Sequence, residues 1–123
     1  MQIQERTLEL GVRILKFADK LPKTVGGMVI AKQLIRSGTS VGANMEEADG
    51  ASSKADFINK VTIARKEARE TRYWLNLIKK AELVHNQNNL KELAEIIQEA
   101  HEIVLVLSTI ISRTRENKGV SIK

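Results

Sequence analysis

Ser37-Gly38-Thr39-Ser40-Val41-Gly42-Ala43-Asn44-Met45-Glu46-Glu47-Ala48 has the composition of a flexible polar loop and the spacing of a helix. Steps of four and three through Gly27, Ala31, Leu34, Gly38, Val41, Met45 and Ala48 trace an unbroken heptad seam of small and apolar residues, a register that a loop has no reason to keep. Beside it run Ile30, Gln33, Ser37, Ser40, Asn44 and Glu47, which put polar groups on the border of the buried face. Each glycine costs about 1 kcal/mol relative to alanine in a helix interior, so something must offset Gly38 and Gly42. Close approach of a second helix, with the Ser and Asn side chains bonding across it, is the expected compensation. Ser37, Ser40, Asn44 and Glu47 therefore read first as a structural polar motif.

Outward from this stretch, the same periodicity recurs. Ile3, Thr7, Leu10, Ile14, Phe17 and Leu21 keep heptad spacing, with Leu8, Gly11, Leu15 and Ala18 widening the face, and predict a helix over residues 2–21 that Pro22 ends. The second helix spans 24–49, with Thr24 as its N-cap and Asp49-Gly50 as its stop. Ser53 and Asp56 resemble a capping box and start a third helix over 53–83, with core positions Phe57, Val61, Ala64, Ala68, Thr71, Leu75 and Ile78. His85-Asn86-Gln87-Asn88 is loop chemistry. Asn89 and Glu92 restart a fourth helix over 89–113, with Leu90, Leu93, Ile97, Ala100, Val104, Leu107 and Ile111 inside, and residues 114–123 form a basic tail. Residues 103–111 are rich in β-branched side chains, but the register of Leu93, Ile97 and Ala100 runs into them, so the helical reading stands. Four amphipathic segments with short connections predict an all-α fold: one domain over 1–123, an antiparallel up-down-up-down four-helix bundle.

Composition narrows the classes. The 123 residues suit one core, and the chain has one Pro and no Cys, which removes disulfides and thiolate metal sites and is compatible with a cytoplasmic location. The N-terminus lacks an apolar signal region and no apolar run approaches the roughly 20 residues of a membrane span, so a soluble protein without a membrane partner is expected. Twenty Lys and Arg against fifteen Asp and Glu leave +5, which permits anionic partners without demanding them.

Arg36-Ser37-Gly38-Thr39-Ser40-Val41-Gly42-Ala43-Asn44-Met45-Glu46-Glu47-Ala48, followed by Asp56-Phe57 and by Lys66-Glu67-Ala68-Arg69-Glu70-Thr71-Arg72-Tyr73-Trp74-Leu75, resembles the bacterial four-helix-bundle family of 23S rRNA intervening-sequence proteins. The resemblance implies a cytoplasmic bundle that assembles into a ring-like homo-oligomer, a homopentamer. A related protein, the accessory variability determinant of diversity-generating retroelements, is a basic pentamer that works with a reverse transcriptase and nucleic acid. The family has no known catalytic residues, so none is carried over.

The residues themselves offer little to an enzyme. Glu82-Leu83-Val84-His85 has the Glu-x-x-His spacing of di-iron bundles but occurs once, at a helix end, and the counterpart Gln98-Glu99-Ala100-His101 has Gln where a ligand is needed. No metal and no cofactor are expected. Neither His falls near Ser37, Ser40 and Asn44 by spacing, so a serine nucleophile has no evident base. Gly26-Gly27, Gly38 and Gly42 lack the sequence context of a phosphate loop. Glu67, Glu70 and Trp74 line the flank of the third helix, where the carboxylates need partners such as Arg36; a structural polar network is the plainer reading, a carboxylate acid/base pair the sharper one.

Two single-sign stripes carry more. Arg65, Arg69, Arg72 and Lys79, flanked by Lys66, Tyr73 and Lys80, lie on the third helix; Glu92, Glu95, Glu99 and Glu102 lie on the fourth. They read as solvated faces, as complementary surfaces between subunits, or, for the basic one, as a phosphate-binding strip. With one Trp, one Tyr and two Phe, stacking platforms are scarce, so nucleic-acid binding should be mainly to phosphate. The expected function is a non-enzymatic oligomeric scaffold that binds RNA or DNA through Arg65, Lys66, Arg69, Arg72, Lys79 and Lys80. A protein–protein adaptor is the alternative, and an enzyme of unrecognised type a third reading. The apolar run 103–107 points in every direction around its helix, and one bundle covers one side; Ile103, Leu105, Val106 and Ile110 are thus the expected oligomer interface.

Overall fold

The structure, a computed structural model, describes residues 1–116. Four helices, α1 (Ile3–Ala18), α2 (Val25–Asp49), α3 (Lys54–Lys80) and α4 (Gln87–Glu116), form an all-α bundle, with no strand among the described residues. Packed pairs are α1 with α2, α2 with α3, α3 with α4, and α4 back to α1, the last being the loosest seam. One core draws on all four helices, including Leu10, Ile14 and Phe17 of α1, Leu34, Val41 and Met45 of α2, Val61, Leu75 and Ile78 of α3, and Leu93, Ile103 and Leu107 of α4.

α2 runs without a break through Ser37–Ala48, and its seam faces inward with Gly27, Leu34, Gly38, Val41, Met45 and Ala48 all buried. The glycines are explained by α1. A Cβ on Gly38 would lie 2.8 Å from both Cγ1 and Cγ2 of Ile14, and one on Gly42 would lie 3.1 Å from the carbonyl oxygen of Thr7. No side chain fits between the two helices there, so the lost helix propensity is offset by the closeness of the packing.

The caps follow side-chain chemistry. Thr24 Oγ1 accepts from the Gly27 amide at 3.1 Å. Ser53 Oγ accepts from the Asp56 amide at 3.0 Å, while Asp56 accepts from the Ser52 amide at 3.3 Å, so the expected capping box is present in a slightly widened form. α3 closes with Glu82 in the left-handed region at φ 55, its amide donating to the Lys79 carbonyl at 3.2 Å and that of Leu83 to the Ile78 carbonyl at 3.1 Å. This is a Schellman closure with a non-glycine residue at the position that favours glycine.

The helix limits differ from expectation in four places, the first being α3, which ends at Lys80 rather than 83 because of the closure at Glu82. α1 stops at Ala18 because the Lys20 and Leu21 amides turn to the carbonyls three residues back, tightening the chain ahead of Pro22. α4 begins at Gln87 rather than 89, because Asn86 supplies the cap, its Oδ1 accepting from the Asn89 amide at 2.8 Å. It also continues to Glu116, so the first residues of the expected tail are helical, and the remainder of that tail lies outside the described residues.

On the inner face of α4, Leu93, Ala100, Val104, Leu107 and Ile111 are buried as expected, but two further positions differ. Ile96 and Ile103 are fully buried, while Leu90 is 39% exposed and Ile97 half-buried. Ile103 therefore belongs to the core of its own chain and is not an interface residue. On α1, Leu8 and Leu15, expected to widen the buried face, are 66% and 48% exposed.

Candidate nucleic-acid interface

α3 carries the basic residues on two different lines. Arg65, Arg72 and Lys79 follow the flank toward α4, where Arg65 Nη1 donates to Ser108 Oγ at 3.2 Å and Arg72 Nη1 lies 2.8 Å from His101 Nδ1. Arginine has no acceptor, so Nδ1 accepts and the His101 ring proton sits on Nε2. Arg65 and Arg72 are half-buried by these contacts, and Lys79 at the helix end is exposed. Lys66, Arg69, Tyr73, Asn76 and Lys80 follow the outer line, spaced by three, four, three and four, and all five are exposed. The expected basic stripe is thus split: Lys66, Arg69, Lys79 and Lys80 are exposed, while Arg65 and Arg72 tie α3 to α4. Tyr73 adds one exposed ring to the outer line, held edge-on against Trp74 with centroids 5.0 Å apart.

The acidic stripe of α4 is occupied within the chain. Arg6 donates from Nε to Glu99 at 2.7 Å and from Nη2 to Glu99 at 2.9 Å and Glu102 at 2.7 Å. Arg13 spans Glu92 and Glu95, each at 3.1 Å from Nη2. The Glu99 carboxylate, against the opposing cost of burial, raises the Arg6 guanidinium pKa above its usual value, and Glu92 does the same for Arg13. The Glu102 carboxyl is held below its usual range by the Gln98 amide and then by Arg6. Arg6 and Arg13, seven residues apart and so on one face of α1, are partners that sequence patterning conceals, because they form no single-sign stripe of their own. Contact between the α4 acids and the α3 arginines of a neighbouring subunit would have to displace them.

The polar motif divides between α2 and α3. Ser37 is buried; Thr71 Oγ1 lies 3.0 Å from Ser37 Oγ and 2.8 Å from the Glu67 carbonyl oxygen, which crosses the two helices as expected. Ser40 and Asn44 do not cross. Asn44 Nδ2 donates back to the Ser40 carbonyl at 2.9 Å and Oγ at 3.0 Å, because an amide one turn along reaches its own helix more easily than the next. Glu47 is exposed at the end of the line and joins neither group. Glu67 and Glu70 are brought together by Arg36, whose Nη1 donates to Glu67 at 3.2 Å and whose Nη2 bonds Glu70, while the Trp74 indole donates to Glu70 at 2.9 Å. Each carboxylate is thus committed to a cation, and the network reads as a tie between α2 and α3.

Elsewhere, Leu105, Val106 and Ile110 do reach the surface of α4, with Leu105 54% exposed. Among the described residues no three His, Cys, Asp or Glu side chains group closely enough to hold a metal ion, and no helix is long and apolar enough to cross a membrane.

Four helices around one apolar core, a glycine- and serine-bearing second helix and its arginine–carboxylate tie to the third define a small all-α bundle protein. The family described as 23S rRNA-intervening sequence protein matches residues 1–108, and the chain belongs to it. Among solved structures, the crystal structure of a protein of unknown function from the S23 ribosomal protein family of Bacteroides thetaiotaomicron VPI-5482 is similar, at 41% identity over 89% of this chain and 98% of that one, with a TM-score of 0.80. No curated protein matches the sequence.

Proposed function

We propose that this chain is a non-enzymatic scaffold whose copies assemble into a homo-oligomer and bind the phosphate backbone of RNA or DNA through the outer line of α3. The observation that carries this reading is the contrast between two charged faces. Lys66, Arg69, Lys79 and Lys80 stand exposed with no carboxylate partner among the described residues, whereas the four acids of the α4 stripe are paired with Arg6 and Arg13 of the same chain. The bundle is read as antiparallel, since Arg6 pairs with Glu99 and Glu102 while Arg13, two turns on, pairs with Glu92 and Glu95. The family resemblance supports a cytoplasmic homopentamer, and the related retroelement determinant a protein partner of the reverse-transcriptase kind.

Three or four cations per subunit bind phosphate weakly, but a ring repeats the line and engages one polyanion several times, which raises avidity without any new contact. Sequence selectivity is low, because phosphate contacts position the nucleic acid without reading bases, and Tyr73 offers a single ring for stacking. Filter binding with mixed-sequence RNA and duplex DNA at two salt concentrations tests the reading. Retention should fall with salt, and the combined Lys66→Ala, Arg69→Ala and Lys80→Ala variant should bind more weakly, with a salt slope shallower by about one unit for each phosphate left without its cation. No retention at low salt, or undiminished retention by that variant while it remains oligomeric, overturns the proposal and leaves a protein adaptor.

A further inference from the structure

One aromatic ring stands in the middle of the outer basic line of α3. Tyr73 is 58% exposed, and among the described residues it is the one large apolar side chain of α3 left at the surface. Lys66 lies seven residues before it, Arg69 four before and Lys80 seven after, so the cations share its face of the helix within about 10 Å along the axis in either direction. The ring is braced from behind. Trp74 packs half-buried against the core, its indole donates to Glu70 at 2.9 Å, and Glu70 is bonded in turn by Arg36 of α2. Tyr73 meets this fixed neighbour at an interplanar angle of 71°, with centroids 5.0 Å apart. A T-shaped contact takes up at most one face of the Tyr73 ring, so the other face is clear of Trp74.

We infer that the nucleic acid held by this line is single-stranded, an unpaired base stacking on the Tyr73 ring while Lys66, Arg69 and Lys80 hold phosphates on either side of it. This rests on the nucleic-acid half of the proposed function and adds to it the form of the strand. A base offers its face to a side chain only when it is unpaired and splayed from its neighbours; in a duplex the faces are covered, and the backbone can engage the cations alone. A lone exposed aromatic is ordinary on a protein surface. Tyr73 is set apart by the cations on both sides of it and by the brace behind it. Because Trp74 is held by its hydrogen bond and by the core, the ring beside it has fewer positions to lose when a base covers it, which lowers the entropic cost of the contact. Stacking is tolerant of sequence, since every base has a π-face. One ring takes one base per chain, so the stack strengthens binding while the phosphate contacts keep its salt dependence.

Fluorescence anisotropy tests this with a labelled mixed-sequence strand, as RNA and as DNA, and with the duplex of each, at two salt concentrations. Wild type, Tyr73→Phe and Tyr73→Leu are compared, with circular dichroism as the check on folding. Single strands should bind wild type more tightly than duplexes, and Tyr73→Phe should keep that preference. Tyr73→Leu, which retains apolar bulk and loses the ring, should bind single strands roughly 5- to 100-fold more weakly, with the salt slope and the duplex affinity unchanged. Tighter binding of either the RNA or the DNA strand supports the inference and names the strand. The chain has one Trp and one Tyr, so its intrinsic fluorescence reports on this pair, and it should change on saturation with unlabelled single strand and not with duplex, a readout that needs no variant. No binding of any of the four nucleic acids overturns the proposed function and this inference with it. Salt-dependent binding in which duplex is held as tightly as single strand, full single-strand affinity in Tyr73→Leu, or unchanged fluorescence at saturation overturns the stacking contact alone and leaves the phosphate contacts standing.

Discussion

Gly38→Ala adds one methyl group at the tightest point between α1 and α2. Its Cβ would stand 2.8 Å from Cγ1 and Cγ2 of Ile14 and 3.1 Å from Ile14 Cβ, at least about half an ångström short of ordinary carbon–carbon contact. Ile14 is fully buried and β-branched within a helix, where one χ1 rotamer dominates, so neither a turn of its side chain nor a shift into free space relieves the overlap. The helices must part. Overpacking of this kind costs roughly 1–3 kcal/mol, and alanine returns about 1 kcal/mol of helix propensity, which leaves a net loss of about 1 kcal/mol. Gly26→Ala is the matched control, since a Cβ there meets nothing within 4 Å and no overlap opposes the propensity gain. Urea unfolding followed by far-ultraviolet circular dichroism, at one protein concentration, should place Gly38→Ala below Gly26→Ala by roughly 1–3 kcal/mol. A Gly38→Ala protein as stable as the Gly26→Ala one would refute the argument that the glycine is there for close approach.

Glu82→Gly should stabilise the chain by up to about 1 kcal/mol in thermal unfolding, because it removes a left-handed non-glycine residue at φ 55 and gives back part of that gain as glycine's larger entropy loss; a lowered midpoint contradicts it. Thr71→Val removes the hydroxyl between Ser37 Oγ and the Glu67 carbonyl while keeping the shape, and should cost about 1 kcal/mol in urea unfolding, since Ser37 keeps its bond to the Leu34 carbonyl at 3.3 Å; no loss would mean the crossing bond contributes nothing. The folded-state pKa of Glu102 is lowered by the Gln98 amide and Arg6, so its contribution is present above the ordinary glutamate value and is lost as pH falls through the folded value. Glu102→Gln should therefore flatten the acid limb of a stability–pH profile and leave the slope around neutrality unchanged; an acid limb as steep as that of wild type counts against the assignment.

The helical course of Ser37–Ala48 was legible because seven small or apolar residues hold one register across it, and the structure buries six of the seven. The α2–α3 tie was partly legible, since the flank position of Glu67 and Glu70 alone points to Arg36 as their partner. The inner face of α4 was legible in part: Leu93, Ala100, Val104, Leu107 and Ile111 are buried as their register predicts, whereas Leu90 and Ile97 are not. Ile96, Ile97, Ile103 and Val104 offer two adjacent apolar lines, and periodicity cannot choose between them. The choice follows from Arg6 and Arg13, which draw the acidic edge toward α1 and turn Ile96 and Ile103 inward. Leu8 and Leu15 misled for a related reason: they border the buried line of Leu10, Gly11, Ile14 and Phe17, and periodicity does not say how wide the covered face is. The basic stripe looked uniform in sequence because helical position separates Lys66, Arg69 and Lys80 from Arg65 and Arg72 by well under half a turn, while burial separates them completely in role.

The seam between α1 and α4 makes cohesion unequal around the bundle. α1 is fixed to α2 by interlocking backbone and apolar side chains, yet it meets α4 across two arginines and four glutamates that remain partly in contact with water. Ionic strength acts on exchanged charges and hardly at all on the dry packing beside Gly38. Added salt thus loosens one edge of α1 and leaves the other gripped, so the helix swings on its α2 edge as a door swings on its jamb, and amide exchange along α1 near Arg6 and Arg13 becomes the most salt-responsive in the chain.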